Sequence, residues 1–351
     1  MNTAELLRLA RQLVSLPTAP YHEQAVRAFV EQHCRSLGLR TERDAAGNVL
    51  VRYQYGARRA PLLFVAHMDH PGFEALGPNH ARFLGSVPQE MFRRGARVRF
   101  HTAKGIVHAR IRRRLGDNRC VELSGGERLR RGDFGGWELP TFRCAGGRMY
   151  GVGFDDVLGV AAVVAALTAV VKHRVRTRLW GLFTRAEEVG LTGAVEAARR
   201  GRISTEALVL SFETSKERPW ARIADGPVIR VGDRMSVFDP AATWFLEETA
   251  RRCGLRAQRC LMDGGICEAT AFAAYGYRVG GLCVALGNYH NIGGGQRPAA
   301  EVVSVSDFAG WVALAVEAAR AWPRFEPITK DVQQRVDRIY RSAPRRLNDH
   351  E

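Results

Sequence analysis

Two glutamates stand side by side in LWGLFTRAEEVGLTGA, residues 179–194, where an apolar run ends. Adjacent carboxylates repel each other, and charge at the end of a buried strand is costly. Solvent at the strand end is one resolution for Glu187 and Glu188. A metal is the other, with one acid bound and its neighbour free to accept a proton. Histidines and acids recur in similar places: His67 and Asp69 after PLLFVA, Glu213 after ALVLSF, His290 shortly after GLCVALG, and Asp155 and Asp156 in GVGFDDVLG. A set of histidines and carboxylates without cysteine suits zinc, cobalt or manganese rather than a thiolate site. Charge fits as well: three ligating carboxylates and one hydroxide balance two divalent ions, and a shared carboxylate is a natural bridge. A further, unbound carboxylate beside the bound water would serve as general base.

These residues are far apart in sequence, so the fold must gather them. Residues 2–15 read as a helix with Asn2 and Glu5 spaced as a capping box, and residues 22–37 as a second helix stopped by Gly38. TERDAAGNVLVRYQYG is strand, turn, strand, and PLLFVAHMDH is an apolar strand ending at His67. From Asp156 onward helices and strands alternate, beginning with the buried helix VLGVAAVVAALTAVVKH. That alternation predicts an α/β class with a doubly wound mixed sheet flanked by helices. Open sheets of this kind collect ligands beyond the carboxyl ends of their strands, where His67, Glu187, Glu188, Glu213 and His290 fall. Residues 74–147 differ, with short alternating strands, many glycines and no long helical period. They predict a small inserted β-barrel-like domain, leaving a discontinuous α/β domain at 1–73 and 148–351 with a charged tail at 328–351.

The 351 residues are 46% hydrophobic and 25% charged, enough for a sizeable core. No apolar run reaches membrane-span length without charges, and the amphipathic start carrying Glu5 lacks the pattern of a signal peptide. A cytoplasmic protein without a membrane partner is expected. Seven scattered cysteines with no CxxC pair read as reduced, structural thiols. The net charge of +16 is dense in arginine over residues 92–119. It permits an acidic partner or nucleic acid, but arginines alternating with apolar residues also describe the solvated face of ordinary strands.

The motifs AHMDHPGF, GFDDVLGVAAV, EEVGLTGA and DGPVIRVGDR, in this order and spacing, resemble the tetrahedral (deblocking, glutamyl) aminopeptidases, co-catalytic di-metal peptidases of the wider zinc exopeptidase superfamily. The resemblance spans most of the chain. It implies that His67 binds one metal, with Asp69 holding the His67 ring in place, and that Asp155 bridges both metals through a peptide to Asp156 that is often cis. Glu188 would bind the second metal, Glu187 would stay free as base, Glu213 would complete the first metal's ligands and His290 the second's. Homo-oligomerisation through the inserted domain is implied too.

Some positions depart from the family pattern. Glu213 stands where aspartate is usual, His70-Pro71 replaces an acidic and a small apolar residue, and Cys267-Glu268 replaces threonine and aspartate. Asp156 reads as a helix cap, and Glu268 as either a pocket residue or a helix-start acid. The expected function is an aminopeptidase acting on peptides through a metal-bridging water activated by Glu187, with two divalent ions, zinc before cobalt or manganese. A carboxypeptidase or N-acyl amino acid deacylase on the same site is the second reading. A non-catalytic binding protein using the basic β insertion is the third.

Overall fold

The computed structural model of the protein describes residues 1–116 and 119–341. Four parallel strands form the centre of an eight-stranded sheet. In sheet order they are Thr177–Thr184, Leu62–His67, Leu208–Lys216 and Arg278–Leu286, so four carboxyl ends open on one rim. Val49–Tyr55 and Arg40–Arg43 extend one side antiparallel; Val228–Gly232 and Gln258–Leu261 extend the other. Register sets the height of the functional residues. Thr184 pairs with His67 and Ser211 with Val65, which brings Glu213, two residues beyond Ser211, level with His67.

The central strands are apolar because both faces are covered. One face carries the helix Phe154–Lys172, which packs on Leu62–His67 and Leu208–Lys216 and against the helices Thr3–Val14 and Val305–Ala321. Among the described residues it is the one helix long and apolar enough to cross a membrane, and 94% of that apolar window is buried inside the fold. The helix Thr3–Val14 is closed at its start by the Asn2–Glu5 capping box, and Gly38, with φ of 77°, follows the second helix, Gln24–Ser36.

Between Leu62–His67 and Phe154–Lys172 the chain builds a closed six-stranded barrel from strands lying between Gly72 and Trp137. Phe73, Phe83, Phe92, Phe100 and Trp137 fill it, with Phe73 and Trp137 edge to face at 5.0 Å. Closure depends on Gly135, where a Cβ would lie 1.8 Å from the carbonyl oxygen of Arg99 on the neighbouring strand. Alternation leaves the barrel's arginines outside, several of them paired: Arg112 and Arg113 with Glu122, Arg97 with Glu138. A hairpin of Phe142–Ala145 and Arg148–Gly151 pairs with Glu301–Ser304 and returns the chain to the α/β layer.

Part of the segment expected as a charged tail is helical. Phe325–Arg341 forms a helix that buries Phe325 and Ile328 and ties Arg335 to Glu248 at 2.5 Å. Residues 342–351 lie outside the described residues.

Candidate metal centre

At the shared rim the seven residues singled out in the sequence come together. His67 Nε2 lies 3.5 Å from Asp155 Oδ1 and 3.6 Å from Glu213 Oε1. On the other side of the same aspartate, His290 Nε2 lies 3.3 Å from Asp155 Oδ2 and 3.3 Å from Glu188 Oε1. Two groups of three donors therefore share Asp155, one oxygen facing each, and within each group the donor atoms lie within 4.8 Å of one another. Glu187, 3.9 Å from His67 Nε2, borders the first group and forms a further cluster with His67 and Glu188. Asp155 Oδ1, Glu188 Oε1 and His290 Nε2 are buried without a hydrogen-bond partner. Orphaned buried polar atoms are expensive, and here they converge as a cation would require. The donor chemistry and the orphaned atoms fit divalent metal.

Both histidines are turned by carbonyl groups. His67 Nδ1–H donates to the main-chain oxygen of Asp69 at 3.1 Å, and His290 Nδ1–H donates to the carbonyl of Ser86 at 2.8 Å. A carbonyl only accepts, so each ring presents Nε2 to the site. Asp69 departs in part from its expected role. Its carboxylate stands 3.5 Å from the His67 ring, while its two oxygens accept the backbone N–H groups of Glu187 and Glu188, each at 3.1 Å. The peptide between Asp155 and Asp156 is cis.

The charges of the site act on one another. Burial raises the Glu187 carboxyl well above the usual range; His67 opposes the shift and Glu188 adds to it. Burial likewise pushes Glu213 up to about 8, with Asp155 as the next cause. Burial alone would lower His67 and His290, but carboxylates override it, Glu187 foremost at His67 and Glu188 at His290, and both imidazoles are raised. Asp155 is lowered: burial works against it and the two histidines win.

One subsidiary expectation is corrected and another is narrowed. Asp156 caps no helix. Its buried carboxylate has no hydrogen-bond partner and lies against Gly159, where a Cβ would come within 2.2 Å of it. Of the two readings of Glu268, the helix-start acid holds: it opens the helix Glu268–Ala273. It is fully buried and accepts a hydrogen bond from the Thr184 hydroxyl, and burial moves it up to about 7.

Other residues at the site were not anticipated. The cleft leading from His67, Asp155, Glu187 and Glu213 continues past Lys216, Arg218 and Arg230. Arg230 is 3% exposed, its Nε and Nη1 have no partner, and Nη1 stands 3.9 Å from Glu213 Oε2. A charged residue inside the apolar strand sequence PVIRVG was the available signal. Tyr289 also lines the cleft and stacks on His290, ring centroids 3.8 Å apart.

Comparison with known proteins gives a family and relatives of the same fold. A family model described as M42 glutamyl aminopeptidase matches residues 126–313, more than half of the chain. The TET1 peptidase of Pyrococcus horikoshii, described as able to assemble into a tetrahedron or a large octahedral shell, superposes with a TM-score of 0.76 at 22% identity, covering 91% of this chain and 99% of that one. An aminopeptidase of the archaeon Desulfurococcus kamchatkensis gives 0.79 at 20% identity, over 93% and 98%. A protein of Acetivibrio thermocellus, provisionally named as an aminopeptidase, is 23% identical over 341 residues, 91% of this chain and 99% of its own.

Proposed function

The chain belongs to the M42 glutamyl aminopeptidase family, and from that premise we propose that it is a di-metal aminopeptidase whose preferred substrates begin with an acidic residue. The observation that carries the di-metal reading is the pair of three-donor groups sharing Asp155, with three orphaned donor atoms converging between them. His67, Asp155 and Glu213 would hold one ion; Asp155, Glu188 and His290 the other. Ions bound there would polarise the scissile carbonyl and acidify a water.

The chain's own residues supply the rest. Glu188 is aimed at His290, whereas Glu187 borders the cleft, where its carboxylate can take a proton from the attacking water and hand it to the leaving amine. The Asp69 carboxylate holds both glutamates by their main chain, so base and ligand keep a fixed separation. Tyr289 and Met262 narrow the cleft against bulk water.

Substrate preference rests on Arg230. A guanidinium with partnerless nitrogens beside the cleft suits a carboxylate. The substrate's free amine would lie away from Arg230, toward Glu187. The same arginine could hold a terminal carboxylate, which keeps the carboxypeptidase or deacylase reading as the alternative. Hydrolysis of glutamyl, leucyl and lysyl anilides beside N-acetylglutamate and a blocked peptide, with chelator and then with zinc, cobalt or manganese, separates them. Turnover of the glutamyl anilide above the others supports the proposal; turnover confined to acylated substrates favours the alternative; activity indifferent to chelator contradicts both. Homo-oligomerisation through the barrel is part of the same proposal, supported by the shell-forming relative, and sedimentation of the intact chain against a barrel-face variant tests it.

A further inference from the structure

Behind the site, one histidine joins the two loops that carry Asp155 and His290. His70 is 3% exposed, three residues beyond His67. Its Nδ1–H donates to the backbone carbonyl of Asp155 at 2.5 Å, and its Nε2 lies 2.9 Å from the side-chain amide of Asn291, immediately after His290. Asp155 is thus gripped through its main chain, while its carboxylate faces the donor groups.

The hydrogen-bond roles of the three residues are linked. The Asp155 carbonyl can only accept, so the ring proton belongs on Nδ1, which leaves Nε2 as an acceptor. The fully buried Asn291 amide has a nitrogen without a partner in its present orientation. The two ends of an amide are nearly the same shape. Turned end for end, Asn291 gives an N–H to Nε2, which a ring protonated on Nδ1 accepts.

The turn served by this contact needs it. Asn288, His290 and Asn291 all adopt left-handed backbone, at φ of 54°, 55° and 61°. Non-glycine residues hold such conformations only where surrounding contacts over-determine them. The Ser86 carbonyl on the His290 ring, the Ala299 N–H on the Asn291 carbonyl and the Asn288 amide on the Ala300 carbonyl are three of those contacts. The His70–Asn291 contact is the one that leads back to Asp155.

We propose that His70 and Asn291 are positioning residues, a strut that fixes the distance between Asp155 and His290 and thereby the affinity of the second metal, held by Asp155, Glu188 and His290. The first metal's other donors, His67 and Glu213, stand on sheet strands and do not depend on the strut. The inference rests on the di-metal reading above.

The test uses the intact chain, stripped of metal and reloaded with zinc. Bound ions are counted and titrated against a chelator, and anomalous diffraction identifies which site is filled. In His70→Leu and Asn291→Leu, affinity at the second site is expected to fall about 10–100-fold, with the first site within about 3-fold of wild type. The double variant should be little worse than either single one, because both remove the same strut. His70→Gln, which keeps a donor and an acceptor, should recover much of the loss. If a leucine variant does not fold, His70→Asn, which reaches the Asp155 carbonyl but not Asn291, gives the same reading. Wild type with two ions and variants that keep both, or that weaken both equally, overturns the strut. Wild type with fewer than two ions overturns the di-metal reading, and the strut with it.

Discussion

Asp69 grips Glu187 by the main chain: the Glu187 N–H donates to Asp69 Oδ1 at 3.1 Å, and the Glu188 N–H donates to the other carboxylate oxygen at the same distance. The end of one sheet strand is thereby tied to the turn beyond the next. His67 and the glutamate pair are held to one another through Asp69. Asp69 is also fully buried, so the two N–H groups have no water to replace it.

Asp69→Asn follows from that pairing. An amide side chain has one accepting oxygen, and its NH2 would face an N–H group. One glutamate loses its tether. The variant should fold, and kcat should fall about 10–100-fold, as it does when groups supporting metal ligands are removed. Steady-state kinetics at saturating zinc checks this; a kcat within twofold of wild type contradicts it.

Arg230→Met should change preference more than turnover. Hydrogen bonds to a charged group contribute about 1.5–3 kcal/mol, so kcat/KM for a glutamyl anilide should drop roughly 10–100-fold. The value for a leucyl anilide should hold or rise, because the buried charge is gone. Parallel losses on both substrates would mean that Arg230 supports the fold rather than the substrate.

A third prediction concerns stability. Glu248, 4% exposed, accepts hydrogen bonds from Arg251 and Arg252 within its own helix and from Arg335 of the C-terminal helix. The Arg251 hydrogen bond, with Arg252 and Arg335 adding to it against burial, takes the Glu248 carboxyl from 4.5 to about 2. A carboxyl lowered in the folded state stabilises above its ordinary pKa, and that stabilisation fades as pH falls from about 4.5 toward about 2. Glu248→Gln should therefore cost about 1–2 kcal/mol near neutrality, and its melting temperature should approach that of wild type as the pH is lowered through 4.5. Melting curves in chelator, which keep metal release out of the comparison, read this directly. A gap that widens in acid would contradict it.

What the sequence disclosed, and what it hid, divides by distance along the chain. His67 is the last residue of its strand and Glu213 falls inside an apolar run, so their level at the rim follows from strand pattern. The capping box at Asn2 and Glu5 was equally local. Asp69 was legible as a site residue but not as a tether, because periodicity fixes no side-chain direction beyond a strand end. Asp156 had the composition of a helix cap, yet its carboxylate, lying against Gly159 of its own helix, takes no hydrogen bond. Contacts spanning hundreds of residues, His290 to Ser86 and His70 to Asn291, have no sequence period at all. Arg230 was visible as a charge in an apolar strand, but its place beside the cleft was not.

Metal content measured beside turnover separates the roles of the adjacent glutamates. Glu187→Gln is expected to keep both zinc ions and lose kcat by about 10²–10⁴-fold, the contribution of a general base. Glu188→Gln should weaken metal binding itself, with one ion lost first. Equal loss of metal in the two variants, or a Glu187→Gln enzyme with wild-type kcat, would contradict the account.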